Sequence, residues 1–241
     1  MDVMMKKIKL IALSFLMLLA ACSMDSDDSD DFDASVVCPA EGTNAYGMPN
    51  RGTFVDERDG QVYKYTTIGN QVWMAENLNY DAEGSVVYDC KDSSCSQFGR
   101  YYSVKKDLII DGVSDAELNK DLIDTLCPQG WRVPSKKEWE KLFEIMGDEE
   151  EIIARRLRSS EKIFYPQTEY PPGTDECGFQ VIPSGYNRED AVYHAGFYLC
   201  SSQSFVDGLD VAMVTTYIGF NVQAVSKYTG TAEYPVRCIK D

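Results

Sequence analysis

Cys127-Pro128-Gln129-Gly130-Trp131-Arg132-Val133-Pro134 runs directly into Ser135-Lys136-Lys137-Glu138. Gln129-Gly130 reads as a turn, and Pro134 blocks any helix from running back through it. Ser135 followed three residues later by Glu138 is a capping box that opens a helix. Trp139, Leu142, Phe143 and Met146 then recur at i, i+3, i+4 and i+7, one apolar stripe facing a core, and Gly147 closes the run. A cysteine, a turn, a buried-type tryptophan and a capped helix in so short a span mark a joint between two halves of a folded unit.

N-terminal to this joint, Ser114-Asp115-Ala116-Glu117 is a second capping box, followed by Leu118, Leu122, Ile123 and Leu126. That pattern predicts a helix over about 115–125. Further back, Asp59-Gly60 and Gly69-Asn70 are hairpin-turn pairs around β-branched and aromatic residues. They predict a three-stranded meander over about 52–56, 61–68 and 71–75, with Tyr63, Tyr65 and Thr67 on one face and Val62 and Ile68 on the other. Asp56-Glu57-Arg58-Asp59-Gly60 fails as a calcium loop, because Arg58 stands where a ligand is needed. It is a turn.

C-terminal to the joint, a third helix is expected over about 148–158. Acidic residues sit at its positive end and Arg155, Arg156 and Arg158 at its negative end, which accounts for the arginines as dipole partners. Short strands are expected at 178–182, 195–200, 211–217, 219–224 and 234–239.

The chain has 241 residues, 44% of them hydrophobic and 12% aromatic, ample for a core. A net charge of −16 argues against a nucleic-acid partner, which requires a basic surface. The eight cysteines include no C-x-x-C pair, and His194 is the one histidine. A zinc site is therefore poorly supported, and dispersed cysteines in an exported protein read as disulfides.

Export is signalled at the N-terminus. Lys6, Lys7 and Lys9 precede an apolar run from Leu10 to Ala21, too short for a permanent span. Leu19-Ala20-Ala21-Cys22-Ser23 resembles the bacterial lipobox, which implies a signal peptide over 1–21, cleavage before Cys22, and lipidation of Cys22 by acyl chains such as palmitate. Ser23 resembles outer-membrane sorting. Asp25–Asp33 holds six aspartates and almost nothing apolar, so 22–37 is expected to be an acidic, disordered tether leading to a single domain over 38–241. Acidic tethers at this place also resemble surface-export signals. An outer-membrane lipoprotein facing the cell surface or periplasm follows, with the membrane as a partner through its lipid.

Several further motifs occur in order. They are Asp59-Gly60-Gln61-x-Tyr63-Lys64, Ile68-Gly69-x-Gln71-x-Trp73-Met74-Ala75-Glu76-Asn77-Leu78, Cys90-x4-Cys95 before Phe98-Gly99-Arg100-Tyr101-Tyr102, the Cys127 stretch, and Val236-Arg237-Cys238-Ile239-Lys240-Asp241. Together they resemble the Fibrobacter succinogenes major paralogous domain over roughly residues 52–241. The resemblance implies a C-type-lectin-like mixed α+β fold of short antiparallel strands with two or three helices, stapled by disulfides, in secreted proteins or lipoproteins. It also implies a bond from Cys127 to Cys238.

Without Cys22 seven cysteines remain, which from sequence alone allows about a hundred pairing schemes. The resemblance, and this chain's departures from it at Cys177 and Cys200, favour Cys90–Cys95, Cys127–Cys238 and Cys177–Cys200, with Cys38 left over. Formylglycine-generating enzymes carry reactive cysteines at the Cys90–Cys95 spacing and use copper, but that family's pair lies late in the chain and its flanking sequence is missing here. His194 lacks a G-x-S-x-G partner, and the calcium motifs of sugar-binding lectins are absent. The expectation is a non-enzymatic, cofactor-free binding or adhesion domain on the cell envelope, with a glycan or matrix protein as ligand. The alternatives are a formylglycine-generating-like cysteine/copper oxidase and a structural envelope component.

Overall fold

Two tight turns build the first sheet. β1 (Arg51–Val55), β2 (Val62–Ile68) and β3 (Gln71–Met74) form an antiparallel meander, with Phe54 opposite Tyr63 and Thr66 opposite Trp73. The computed structural model describes residues 31–87, 98–102, 105–110, 113–118, 120–161, 172–182, 184, 195–204, 208–215, 220–226 and 233–241. Strands β4 (Val86–Val87), β5 (Arg100–Tyr102), β6 (Lys105–Ile110), β7 (Val113–Leu118) and β8 (Trp131–Arg132) follow. The later strands are β9 (Ala195–Ser204), β10 (Gly208–Thr215), β11 (Phe220–Ser226), β12 (Tyr234–Pro235) and β13 (Ile239–Lys240). Helices are α1 (Ala34–Val37), α2 (Lys120–Leu126), α3 (Lys136–Met146) and α4 (Glu150–Leu157). The fold is α+β.

The chain's end completes the sheet its beginning started. β13 pairs with β3 on one side and with β8 on the other, giving the order β1-β2-β3-β13-β8. Alternation along these strands sends side chains to two cores. Ile68, Trp73 and Ile239 join Trp139, Leu142, Phe143 and Met146 of α3 and Ile153 and Leu157 of α4. Tyr63, Tyr65, Val72, Met74 and Trp131 join Leu78, Tyr102, Ile123, Val236 and the Cys127–Cys238 bond on the opposite face. Rings make close contact within each core: Trp73–Trp139 at 4.8 Å in the first, Phe54–Trp131 stacked at 4.4 Å in the second. Three smaller assemblies complete the fold: β11-β10-β9, β12-β5-β4 and the β6–β7 hairpin.

The joint has the local chemistry its sequence called for. Gly130 adopts φ 78°, a left-handed conformation that favours glycine, and Trp131 N–H donates to the Pro128 carbonyl at 2.9 Å. Glu138 closes the capping box by accepting the Ser135 backbone N–H at 2.8 Å and its hydroxyl at 2.9 Å, and it also takes the Arg132 guanidinium. Cys127 is bonded to Cys238 across 111 residues of sequence, the pairing that the family resemblance implied. In the chain-entropy picture a loop of that length stabilises the fold by about 4–5 kcal/mol.

Several expectations are corrected. Cys177 is bonded to Cys38 and not to Cys200, so Cys38 is not left over. The reason is that the N-terminal arm folds back onto the domain: Gly69 N–H donates to the Val37 carbonyl at 2.7 Å, and the Phe32 ring lies under the Arg156 guanidinium at 3.9 Å. The folded unit thus starts at Phe32, and the supposed tether contributes α1. Residues 115–118 are strand, with the helix only from Lys120, because β7 finds a partner in β6. The expected strand at 178–182 is reduced to a single bridge between Val181 and Arg158, since Gln180 has φ 57° and cannot extend. The strand expected at 234–239 is split into β12 and β13 around Arg237. Arg156 and Arg158 are buried at 5% exposure and do not stand out at the helix end as mere dipole partners. Arg156 donates to the Met146 carbonyl and lies 3.6 Å from Glu176.

Candidate functional site

At the ends of β2 and β3 the family motifs converge on one cleft of about 390 Å³. Gln61, Tyr63 and Lys64 line one side, Ala75, Glu76, Asn77 and Asn79 another, and Glu161, Gln180, Ile182 and Arg237 complete it. The volume falls in the lower part of the range for small-molecule sites, but this lining is mainly polar where such sites are usually apolar.

Arg237 is its floor. The residue is fully buried. Nη1 donates to the Phe179 carbonyl, and Nη2 donates to Asn77 Oδ1 at 2.6 Å and to the Gln180 carbonyl at 3.2 Å. The guanidinium also faces the Phe179 and Tyr198 rings at 4.8 and 5.3 Å. Burial pushes its pKa down, while nearby Tyr198, Asp175 and Glu76 pull the other way. Burying a cation is costly unless acceptors surround it, and here Asn77 and the 179–180 segment supply three. Asn77 is fixed in turn, since its Nδ2 donates to the Phe98 carbonyl at 2.9 Å. Gly99 permits this approach: it has φ 75°, and a Cβ there would lie 2.7 Å from the Leu78 carbonyl oxygen.

The rim is held by the motif's polar side chains. Glu76 Oε2 accepts the Lys64 backbone N–H at 2.7 Å, and the Lys64 ammonium lies 3.8 Å from Oε1. Asn79 Nδ2 donates to Gln61 Oε1 at 2.9 Å, and Gln61 Nε2 donates back to the Asn79 carbonyl at 3.0 Å. The Asn79 backbone N–H donates to the Tyr63 hydroxyl, whose pKa burial pushes up to about 12. Asp56 and Asp59 are occupied in the neighbouring turn, by Arg58 and by Gln61. Among the described residues no group of three His, Cys, Asp or Glu is placed to hold a metal ion, and no helix is long and apolar enough to cross a membrane.

The far wall is a strained loop. Asp175 and Gln180 are non-glycine residues with φ 48° and 57°, and Asp175 Oδ1 accepts the Gln180 N–H at 2.9 Å. Left-handed conformations cost such residues about 1–2 kcal/mol each, so the surroundings must impose them. Arg51 Nη2 donates to the Glu176 carbonyl at 3.1 Å and the Cys38 carbonyl at 3.2 Å, and the Thr66 hydroxyl donates to the Cys177 carbonyl.

Sequence reasoning singled out cysteines, and they fall elsewhere. Cys127–Cys238 and Cys38–Cys177 are structural staples beside the cores. Cys22, Cys90, Cys95 and His194, and the side chain of Cys200, lie outside the described residues. The cleft residues themselves were missed as a site, although a signal existed. An arginine inside the apolar run Val236-Arg237-Cys238-Ile239, and polar residues clustered at strand ends, are what a shared polar floor requires.

Burial pushes the Asp175 carboxyl up to about 6, against the opposing pull of Gln180, Arg237 and Arg51. A folded-state pKa above the ordinary carboxyl value means that the native state holds this proton more tightly than the unfolded chain. The resulting stabilisation is complete below the ordinary value and is lost as pH rises through about 6. Melting of the wild type and Asp175→Asn from about pH 4 to about pH 8 should show the wild type losing stability relative to the variant over that window. A flat or rising difference would refute the assignment.

A family model matches residues 66–240, a narrower span than the motif resemblance, beginning within β2 and taking in all of the cleft except Gln61 to Lys64. Neither a search of curated proteins nor one of solved structures gave a match. On the strength of the family match, which covers well over half of the sequence and unites β3, α3, α4 and β13, the chain belongs to the Fibrobacter succinogenes major domain family.

Proposed function

We propose that the chain is a lipoprotein of the outer membrane, anchored through acylated Cys22, that presents a non-catalytic, C-type-lectin-like binding domain at the cell surface with the polar cleft as its ligand site. The lipobox-like Leu19-Ala20-Ala21-Cys22 and the acidic segment after it support the anchor. The observation that carries the binding role is the convergence of Gln61, Lys64, Glu76, Asn77 and Asn79 on one cleft over Arg237. Paired donors and acceptors at fixed spacing suit a polyhydroxylated ligand, whose hydroxyls both donate and accept. A glycan is therefore the ligand proposed, and a matrix protein is the competing outcome of the test.

Two measurements test this reading. The full chain, purified in detergent, should bind a discrete set of glycans on an array, and Glu76→Gln should weaken that binding by roughly tenfold, the value of one hydrogen bond to a charged group. A folded protein that binds no glycan, or a variant that binds as well as wild type, contradicts the ligand site. Labelled palmitate should enter the wild-type chain in a bacterial host and be lost with Cys22→Ser. Equal labelling of both, or of neither, contradicts the anchor.

A further inference from the structure

The N-terminal arm is built into the wall of the cleft. Cys38, immediately after α1, is bonded to Cys177, in the middle of the loop whose later residues Gln180 and Ile182 line the cleft. Arg51 straps the same two segments together through the Glu176 and Cys38 carbonyls. Without these ties, little on the arm side would hold Asp175 and Gln180 in their left-handed conformations. The opposite side of the loop is anchored separately: Arg237 holds Phe179 and Gln180, and the Val181 N–H donates to the Leu157 carbonyl at 2.9 Å.

We propose that oxidation of Cys38 and Cys177 is the maturation step that completes the cleft wall, so that the binding site takes its final shape only after export. The ligand role of the cleft is taken from the function proposed above; the oxidation dependence of its wall is the new element. Two S–H bonds break and one S–S bond forms. The S–S bond of an exchanging disulfide, protein-borne or small, breaks in turn, and the two electrons and two protons pass to it, leaving it as its dithiol. Both cysteines are essentially inaccessible in the folded unit, at 1% and 0% exposure, so the bond forms before the arm docks fully and is shielded afterwards. The device acts once, as a commitment, and not as a reversible sensor. The second disulfide leaves the rest of the fold independent of this step, because Cys127–Cys238 ties β13 to the joint at β8.

Hydrogen exchange on the full chain tests this without any ligand, so a failure of the glycan reading would leave the result standing. In Cys38→Ser/Cys177→Ser, amides of residues 172–182 should exchange roughly tenfold faster or more, while β2, β3 and α3 keep their protection. Arg51→Met, which leaves the disulfide in place, should speed the same segment to a smaller degree. Unchanged exchange at 172–182 in both variants overturns the proposal. So does equal acceleration across all segments, which would make this disulfide a general staple.

Discussion

A single buried guanidinium fixes the relation between the parts of this domain. Arg237 lies between β12 and β13, next to Cys238, with no exposed surface; its Nη1 and Nη2 donate to Phe179, Asn77 and Gln180, while Nε finds no hydrogen-bond partner among the described residues. Those residues are about 160 and 57 positions away in sequence. An arginine cannot shed its charge on burial as a lysine can, so the acceptors must be present for the fold to form at all. That requirement brings the end of the chain, the end of β3 and the 175–182 loop to one place, and the cleft is the space left above them.

Around this point the sheet divides the interior. Side chains alternate so that Trp73 and Ile239 face the helices while Met74 and Cys238 face the second core. The Cys127 stretch sits at the sheet's edge and lends β8 to one core and α3 to the other. The Cys38–Cys177 bond performs the matching service for the N-terminal arm. The disulfides Cys127–Cys238 and Cys38–Cys177 and the buried Arg237 thus help to hold together a sheet whose strands come from opposite ends of the sequence.

Local chemistry was legible in the residues, and non-local chemistry was not. Asp59-Gly60 and Gly69-Asn70 announce hairpins because turn preference is a property of two residues, and the Ser135–Glu138 box announces α3 for the same reason. Ser114–Glu117 carries an equally good box, yet β6 captures the segment as a strand, since pairing along six residues outweighs one cap. Cys38 looked spare because Cys177 and Cys200, both departures from the family pattern, looked like each other's partners, and the segment before Cys38 looked like a tether. Only the docking of Phe32 and Val37 shows otherwise. The cleft was only faintly legible: Arg237 inside an apolar run is a hint, but Asn77 and Gln61 are unremarkable singly and become a site only where the sheet order places them.

The central claim is that the Arg237 guanidinium organises the cleft and the fold about it. It is tested most directly by denaturant unfolding of wild type and Arg237→Lys. A lysine offers one compact head that cannot reach three acceptors in separate directions, so the account predicts a loss of about 3 kcal/mol, with carbonyls left unsatisfied. A lysine variant within about 0.5 kcal/mol of wild type, the range of an ordinary surface substitution, would contradict it.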